Sequence, residues 1–334
     1  MGSKSLLPFV ALGALVAGIP ASAADVSAKP AAKWVVPRTP EGVPDLTGVY
    51  SNASTVPLER PKNLGAKEFY TPEEIEAQQA RAAAQAAANA GQPVNGGIEA
   101  HYDLSQFGLD RGHTKVAKSM RTSVITGPEG RIPALIPEAQ QRAAARAAVN
   151  RGHTFDSYEN RGLSERCLAW GSEGPPILPQ GYNSDLQIFQ GKDYVAINVE
   201  MIHQVRIIPT DGSPHPPANI TQWFGDSRGH WEGDTLVVDT TNFSEKGHFR
   251  ESTPNLHVVE RFTRTGPDEV LYQFKVEDPH TWATSWSGEY PMLKAGDRIF
   301  EYACHEGNLG LPNILSGARA EEARQAKAPA DKGK

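Results

Sequence analysis

The second half of the chain is a succession of short alternating segments separated by turn signals, and this pattern restricts the fold more than any other feature. Eight or nine such segments run from residue 184 to residue 307, and hairpin signals stand at 191–193, 232–234 and 266–268. No helical segment intervenes, so consecutive strands are expected to pair antiparallel. The sequence therefore predicts a mainly β fold, an antiparallel meander that closes into a barrel or folds into a sandwich, and we favour the barrel.

Two Ala-rich helices precede this region. The first begins after Thr71, which is followed by Pro72 and, at the third position, by Glu74, a capping-box pattern. Neither helix carries many large apolar residues, so we expect both to pack on the surface of a larger body. The predicted organisation is a signal peptide (1–23), a flexible lead-in (24–41), a strand plus helices wrapping the barrel (42–154), the antiparallel barrel (155–318) and a disordered tail (319–334).

The N-terminus predicts export. An apolar run follows Lys4 and ends in small residues at Ala21 and Ala23, which is typical of a secretory signal peptide cleaved after Ala23. A membrane anchor is the alternative, but the run is short for a span, and no later segment is apolar enough to cross a bilayer. We expect a periplasmic or secreted protein. The net charge of −6 and the pI near 6.0 argue against nucleic acid as a partner, and the oligomeric state is left open.

The chain has two cysteines, Cys167 and Cys304. In an exported protein they are expected to form one disulfide, closing a loop of about 137 residues that would stabilise the fold by roughly 4–5 kcal/mol. A pair of thiolate ligands or a free nucleophile is the alternative.

Several stretches carry resemblances. "PDLTGVY", "MIHQVRIIPTDGSPH", "WEGDTLVVDTTNF", "VEDPHTW" and "YACHEGN" together resemble an uncharacterised family of secreted bacterial proteins over most of the mature chain. That resemblance implies nothing about mechanism. The strand succession and "GHWEGDTLVV" resemble calycin (lipocalin-like) barrels, and a barrel of about eight strands can hold one small ligand.

The stretch "VEMIHQVRII" holds Glu200, His203 and Arg206 at spacings of three. On one continuous strand His203 would face away from the other two. A bend at residues 202–203 would reset the alternation and let all three converge. The alternative is that Arg206 pairs with a carboxylate on an exposed face.

Two further carboxylates stand in predicted strands. Glu260 lies beside β-branched residues, and its burial would raise its pKa and suit it to acid/base work; an ion pair with an arginine is the alternative. Asp239 lies mid-strand, where aspartate is disfavoured, which indicates either function or a paired charge.

The stretch "RIFEYACHEG" is predicted as a last strand with His305 and Tyr302 on opposite faces. A disulfide at Cys304 would hold His305 rigidly and pull the loop that follows Cys167 to the same rim, which would then form a pocket wall. Asn308 at the following bend is a weaker candidate. Trp282 and Trp286 are expected to share a strand face and to flank one ligand, with core packing as the alternative.

A metal site is the most specific alternative to acid/base chemistry. Histidines 203, 230, 257, 280 and 305 would supply ligands, with a carboxylate from Glu200, Glu260 or Glu301. No compact metal-binding motif, serine elbow, P-loop or dinucleotide fingerprint is present in the sequence.

The leading functional hypothesis is a cofactor-independent acid/base enzyme, a lyase, isomerase or hydrolase, acting on a small organic or sugar-derived substrate in the barrel mouth. His203 or His305 would be the base, Glu260 or Asp239 the acid and Arg206 the anion clamp. Glu200, Trp282, Trp286, Tyr302 and Asn308 are the predicted substrate contacts. A non-catalytic carrier of a small apolar ligand and a metal-dependent cupin-type oxygenase or hydrolase are the alternatives.

Overall fold

The computed structural model describes residues 34–89, 119–247, 249–296 and 298–327. The predicted signal peptide lies outside the described residues, as does the lead-in up to residue 33. Residues 37–45, in part assigned to that lead-in, form a turn in which the Asp45 amide donates to the carbonyl of Pro37 over 2.8 Å.

Nine strands and three helices make up the regular structure of these residues. The strands are β1 (Gly48–Ser51), β2 (Asp185–Gln190), β3 (Tyr194–Val199), β4 (Gln204–Pro209), β5 (Asp226–Glu232), β6 (Thr235–Thr241), β7 (His257–Gly266), β8 (Glu269–Glu277) and β9 (Trp286–Lys294). The helices are α1 (Pro72–Asn89), α2 (Pro137–Asn150) and α3 (Gly310–Lys327).

The strands form one antiparallel sheet that is nearly closed into a barrel. Their order is β4-β3-β2-β1-β9-β8-β7-β6-β5, and every hydrogen-bonded neighbour pair is antiparallel. The predicted mainly β barrel is confirmed. With an odd number of strands in such a series, the two outermost strands, β4 and β5, run in the same direction. They face each other across an unpaired seam, and residues 210–225 must run back along the barrel to connect them.

Strand alternation sets the barrel interior. On β7, Val258, Glu260 and Phe262 are buried, whereas the residues between them are only partly buried. On β8, Tyr272 and Phe274 face the same interior. This period of two is the one predicted from the sequence. Burial of the apolar side chains among these residues contributes about 1.5–3 kcal/mol each and is the main stabilisation of the barrel.

One strand of the barrel, β1, lies outside the range of 155–318 predicted for the barrel. β1 lies in the region assigned to wrapping elements (42–154), yet it pairs with β2 through Tyr50–Leu186 and with β9 through Tyr50–Lys294. It therefore joins the two hairpin series that would otherwise be separate sheets. Local alternation predicts that β1 is a strand, but its two partners are distant in sequence, and no local pattern identifies them.

The C-terminal segment differs from the prediction. The strand expected over 298–307 is absent: residues 298–303 are irregular, and a turn follows at 304–307. Residues 319–327, expected to be a disordered tail, continue α3. The sequence "ARAEEARQAK" has strong helix formers throughout, and the Asn308 side chain accepts from the Leu311 amide at the helix start over 3.2 Å.

The Ala-rich helices form as predicted. Thr71 and Glu74 make the reciprocal capping-box hydrogen bonds, at 3.3 and 2.8 Å. The residues that lead into α2 pair with the barrel, since the Ile136 amide donates to Thr281 O over 3.0 Å. Ala139 is the one fully buried residue of α2, so this helix adds little apolar burial.

Over the described part of the chain, no helix has the length and apolar character needed to span a membrane.

Candidate functional site

One end of the barrel collects the longest irregular segments. β2, β4, β5, β7 and β9 begin there, and β1, β3, β6 and β8 end there, as the antiparallel order requires. We call this end the mouth. Residues 161–181, which lead into β2, cover part of it, and we call them the mouth loop.

Three contacts, at two residues, fix the mouth loop. Cys167 forms the predicted disulfide with Cys304, with a Cα–Cα distance of 5.7 Å. The Ile177 amide donates to the Tyr272 hydroxyl over 2.8 Å, and the Tyr290 hydroxyl donates to the Ile177 carbonyl over 3.1 Å. A loop anchored to the barrel core in this way can hold side chains at fixed positions.

Two adjoining cavities lie between the mouth loop and the rest of the mouth, with volumes of about 380 and 350 Å³. Both are lined by Trp170, Gly171 and Arg250, so they form one cleft. The first cavity is also lined by Glu173, Trp223, Phe224, Phe243 and Phe249. The volumes and the aromatic lining match a site for a small organic molecule.

Glu173 is the acid/base candidate of the cleft. It is 2% exposed, and both its carboxylate oxygens accept from the Trp170 amide, at 2.9 and 2.7 Å. Burial raises the pKa of Glu173 to about 7, although these backbone hydrogen bonds act against the rise. Within the part of the chain that the structure describes, no basic side chain forms an ion pair with it. A carboxyl group of this kind can both give and accept a proton near neutral pH.

Arg250 stands at the junction of the two cavities. It has a positive φ of 48°, a conformation that costs a non-glycine residue free energy. The following residue, Glu251, pairs with Arg146 of α2 over 2.7 Å, which fixes the backbone at this point. The guanidinium lies 5.8 Å from the centre of the Phe249 ring. The residue is exposed at the rim, although its partly desolvated surroundings lower its pKa.

The opposite wall is held by close packing. A Cβ atom at Gly247 would lie 2.6 Å from the Trp223 carbonyl oxygen, so only glycine allows these two segments to approach so closely. Behind them, Phe249 stacks on Trp286 at 6.2 Å between ring centres. Trp170 and Trp223 are 39% and 37% exposed, so their rings are accessible from the mouth.

Arg206 and Glu260 meet inside the barrel rather than at its mouth. Their side chains make two hydrogen bonds, at 2.5 and 3.0 Å, and the Tyr272 hydroxyl donates to Glu260 over 2.8 Å. Burial works against the charge of Arg206, but the adjacent Glu260 outweighs it and raises the pKa of the guanidinium. This is the ion-pair alternative from the sequence, formed across the interior between β4 and β7.

The other two members of the predicted cluster do not converge with Arg206. Residues 201–203 form a 3-10 turn, and Ile202 and His203 both have positive φ, so the bend considered from the sequence is present and resets the alternation. His203 nevertheless points outward, with Nδ1 3.0 Å from the Tyr302 carbonyl oxygen. The Glu200 carboxylate accepts from Nδ2 of the Asn183 side chain over 2.6 Å, and burial raises the pKa of Glu200.

Asp239 lies on the outer face of the barrel, between two histidines. His257 Nε2 is 2.6 Å and His215 Nε2 is 3.0 Å from its carboxylate oxygens, and His215 Nδ1 is 2.7 Å from Asp226. The hydrogen bond from His257 lowers the pKa of Asp239, and the same bond raises the pKa of His257. These contacts agree with the alternative that Asp239 is one of a set of paired charges. Those made by His215 attach residues 210–225 to the sheet.

The remaining predicted substrate contacts are spread over the structure. Trp282 and Trp286 are buried and pack edge to face at 5.6 Å, which leaves no room for a ligand between them. Tyr302 packs edge to face on Tyr182. Asn308 donates to the carbonyl of Glu165 over 2.8 Å, and so supports the mouth loop.

His305 is exposed, in the turn after Cys304. It does not line either cavity of the cleft. Among the described residues, no group of three or more His, Cys, Asp or Glu side chains is arranged to hold a metal ion. The histidines and carboxylates that the sequence offered as metal ligands therefore do not form a metal site among the described residues.

Sequence reasoning placed a pocket wall in the loop after Cys167 but did not select Glu173 or Arg250. The signal for Glu173 was an acidic residue between Trp170-Gly171 and "GPP", in a loop otherwise rich in Gly, Pro and apolar residues. Arg250 had no comparable signal, because its position depends on the fold of the β6–β7 connection.

No family model, curated protein or solved structure matched this chain. The nearly closed antiparallel barrel is consistent with the calycin resemblance, which stays an interpretation.

Proposed function

We propose that the protein is an exported acid/base enzyme, a lyase, isomerase or hydrolase, that acts on a small organic substrate in the cleft at the barrel mouth. Glu173 is its proton-transfer residue. The observation that carries the proposal is a buried carboxyl group with a pKa of about 7 in the wall of an aromatic cleft. The calycin-like assignment of the barrel is part of the same proposal, and the antiparallel meander supports it.

Protein side chains alone supply the chemistry in this proposal. Starting as the carboxylate, Glu173 takes a proton from a carbon or hydroxyl of the bound substrate or, in a hydrolase, from the attacking water, and returns it to another atom of the substrate or to the leaving group. Starting as the acid, it gives its proton first and takes one back from the substrate or the water, so the enzyme is unchanged after each turnover. General acid/base catalysis by one positioned residue typically contributes 10²–10⁴ in rate.

Export is also part of the proposal. The Cys167–Cys304 disulfide is compatible with an oxidising compartment. It also ties the mouth loop, which contains Glu173, to the C-terminal segment. We therefore propose that the protein works in the periplasm or outside the cell.

The test is a turnover screen with two proteins. The wild type and Glu173→Gln are incubated in D₂O with a panel of hydroxy acids, lactones, aryl esters and glycosides, and products and deuterium incorporation are measured by mass spectrometry. We expect turnover or exchange of at least one compound by the wild type, and a loss of at least about 100-fold in Glu173→Gln. The exposed Glu159→Gln is the matched control and should keep full activity.

Two results would contradict the proposal. One is a compound that Glu173→Gln converts as fast as the wild type. The other is a compound that binds in the cleft, within the tested classes, and is neither converted nor exchanged. The second result would favour a carrier, the candidate supported by the mainly apolar lining of the first cavity.

A further inference from the structure

Among the described residues that line it, the cleft combines accessible aromatic rings with one cationic side chain, that of Arg250. Trp170 and Trp223 line the first cavity and are more exposed than most large apolar side chains of the barrel. Arg250 lines both cavities. The chain as a whole has a net charge of −6, so an anion is attracted only where a local cation outweighs the general field.

Among the described residues, no carboxylate forms an ion pair with the Arg250 guanidinium. Glu59 is near enough to influence its pKa, but that carboxylate is paired with Arg131 over 2.6 Å. Arg206, by contrast, is neutralised by two hydrogen bonds to Glu260.

The backbone of Arg250 is held in place by its surroundings. Residues 250 and 251 both have positive φ, and the Glu251 side chain is tied to Arg146 of α2. The next two residues are also fixed, since Ser252 is buried and the Thr253 amide donates to Asp278 over 2.6 Å. A strained conformation that several contacts maintain is a common feature of ligand-binding positions.

We propose that the cleft takes a small planar organic anion, with its carboxylate on Arg250 and its ring against Trp170, Trp223 and Phe249. Guanidinium binds a carboxylate through two parallel N–H donors, which fixes orientation as well as adding affinity. An aromatic or conjugated body fits cavities of about 380 and 350 Å³. This inference rests on the proposed function only for the location of the site, since it names what binds and not what is converted.

The position of Glu173 is compatible with this ligand class. A bound anion in the same cleft disfavours the charged form of a nearby carboxyl group, so it favours the protonated form of Glu173. The acid would then be available to protonate the substrate, which is the role of a general acid.

The experiment is isothermal titration calorimetry of the full mature protein with cinnamate and with its neutral isostere cinnamamide. We expect the wild type to bind cinnamate at least about tenfold more tightly than cinnamamide, because a charge-assisted hydrogen bond is stronger than a neutral one. Arg250→Gln should reduce that ratio to about one while it leaves the affinity for cinnamamide unchanged. The preference should also weaken as NaCl is raised, because Arg250 is exposed.

Two controls separate this inference from the proposed function. Arg324→Gln, at an exposed arginine of α3 paired with Glu321, should bind both probes as the wild type does. Glu173→Gln should still prefer cinnamate. If it does, but the turnover screen finds no Glu173-dependent conversion, the cleft binds anions and the enzyme proposal fails.

The inference is overturned if the wild type binds both probes equally, if it binds neither, or if Arg250→Gln keeps the preference for cinnamate. Any of these results leaves Glu173-dependent turnover of a neutral compound as a separate, testable outcome.

Discussion

Two arginine–glutamate combinations of the protein, one inside the barrel and one at its mouth, are arranged in opposite ways. Inside the barrel, Arg206 and Glu260 are buried and bonded to each other, and Tyr272 completes the set. At the mouth, Glu173 and Arg250 line the same cleft, but neither is neutralised by the other or by another described side chain. The inner pair has satisfied its own hydrogen bonds, whereas the outer two groups have capacity left for a ligand.

This difference between the interior and the mouth indicates which of the two could bind and convert a substrate. A fully satisfied buried pair has little free energy to gain from a substrate, and moving either charge would leave the other unpaired. The buried Glu173 carboxyl group, with its raised pKa, and the Arg250 guanidinium, which has no ion-pair partner among the described residues, can both be stabilised by contacts with a substrate. Perturbed, unsaturated groups of this kind are typical of functional sites.

The largest expected effect comes from breaking the inner pair. Glu260→Gln leaves the Arg206 charge buried without a counter-ion, so we expect the free energy of unfolding to fall by about 3–5 kcal/mol. Urea denaturation at pH 7 measures it.

The double variant Arg206→Met/Glu260→Leu is the matched control for that prediction. It removes both charges and fills the interior with apolar side chains, so it should recover most of the loss. A loss below about 1 kcal/mol in Glu260→Gln would mean that the pair is not the closed structural unit described above.

The next effect distinguishes the mouth from the interior by its pH dependence. The pKa of Glu173 is raised from 4.5 to about 7, so between these values the folded state binds more protons than the unfolded state. Stability must therefore fall as pH rises through this window, by about 3 kcal/mol in total. Glu173→Gln removes this dependence, and we expect it to be more stable than the wild type at pH 8 and close to it at pH 4.

Denaturation curves of both proteins from pH 4 to pH 8 test that prediction. Glu159→Gln, at an exposed position, is the control and should follow the wild type throughout. An equal stability difference between Glu173→Gln and the wild type at pH 4 and pH 8 would show that Glu173 is not held in a proton-binding environment.

The smallest effect is expected on the outer face. The pKa of Asp239 is lowered from 3.8, so the contribution of Asp239 to stability is lost as the pH falls through the lowered value. The pKa of His257 is raised from 6.5, so the contribution of His257 to stability is lost as the pH rises through the raised value. The pair therefore stabilises most in the acidic range between, near pH 5.5. Asp239→Asn should cost at most about 1 kcal/mol there and less at pH 9, because both side chains are partly exposed. A cost that increases towards pH 9 would contradict this description.

Much of the barrel was predictable because strand alternation and turn residues are local signals. The failure at 298–307 has a physical cause: the polar–apolar alternation there belongs to an irregular segment that the disulfide and the Tyr302–Tyr182 contact hold in place. A short alternating run therefore indicates a strand only where a neighbour is available to pair with it. For β1, two neighbours were available, but both are distant in sequence.

The candidate site was less predictable, for a related reason. Alternation correctly indicated that Glu260 could be buried beside β-branched residues, but it could not reveal that Arg206 faces it across the interior. Glu173 and Arg250 lie in irregular segments with no period to analyse. Their environment is created by contacts between the mouth loop and the β6–β7 connection, so it emerges only in the folded chain.

The central claim, that Glu173 is a proton-transfer group poised near neutral pH, is most directly tested by titrating its side chain. In protein labelled with ¹³C at the glutamate carboxyl carbon, the resonance missing from Glu173→Gln identifies the group. We predict a midpoint of about 7 for this resonance. A midpoint near the ordinary glutamate value of about 4.3 would contradict the account.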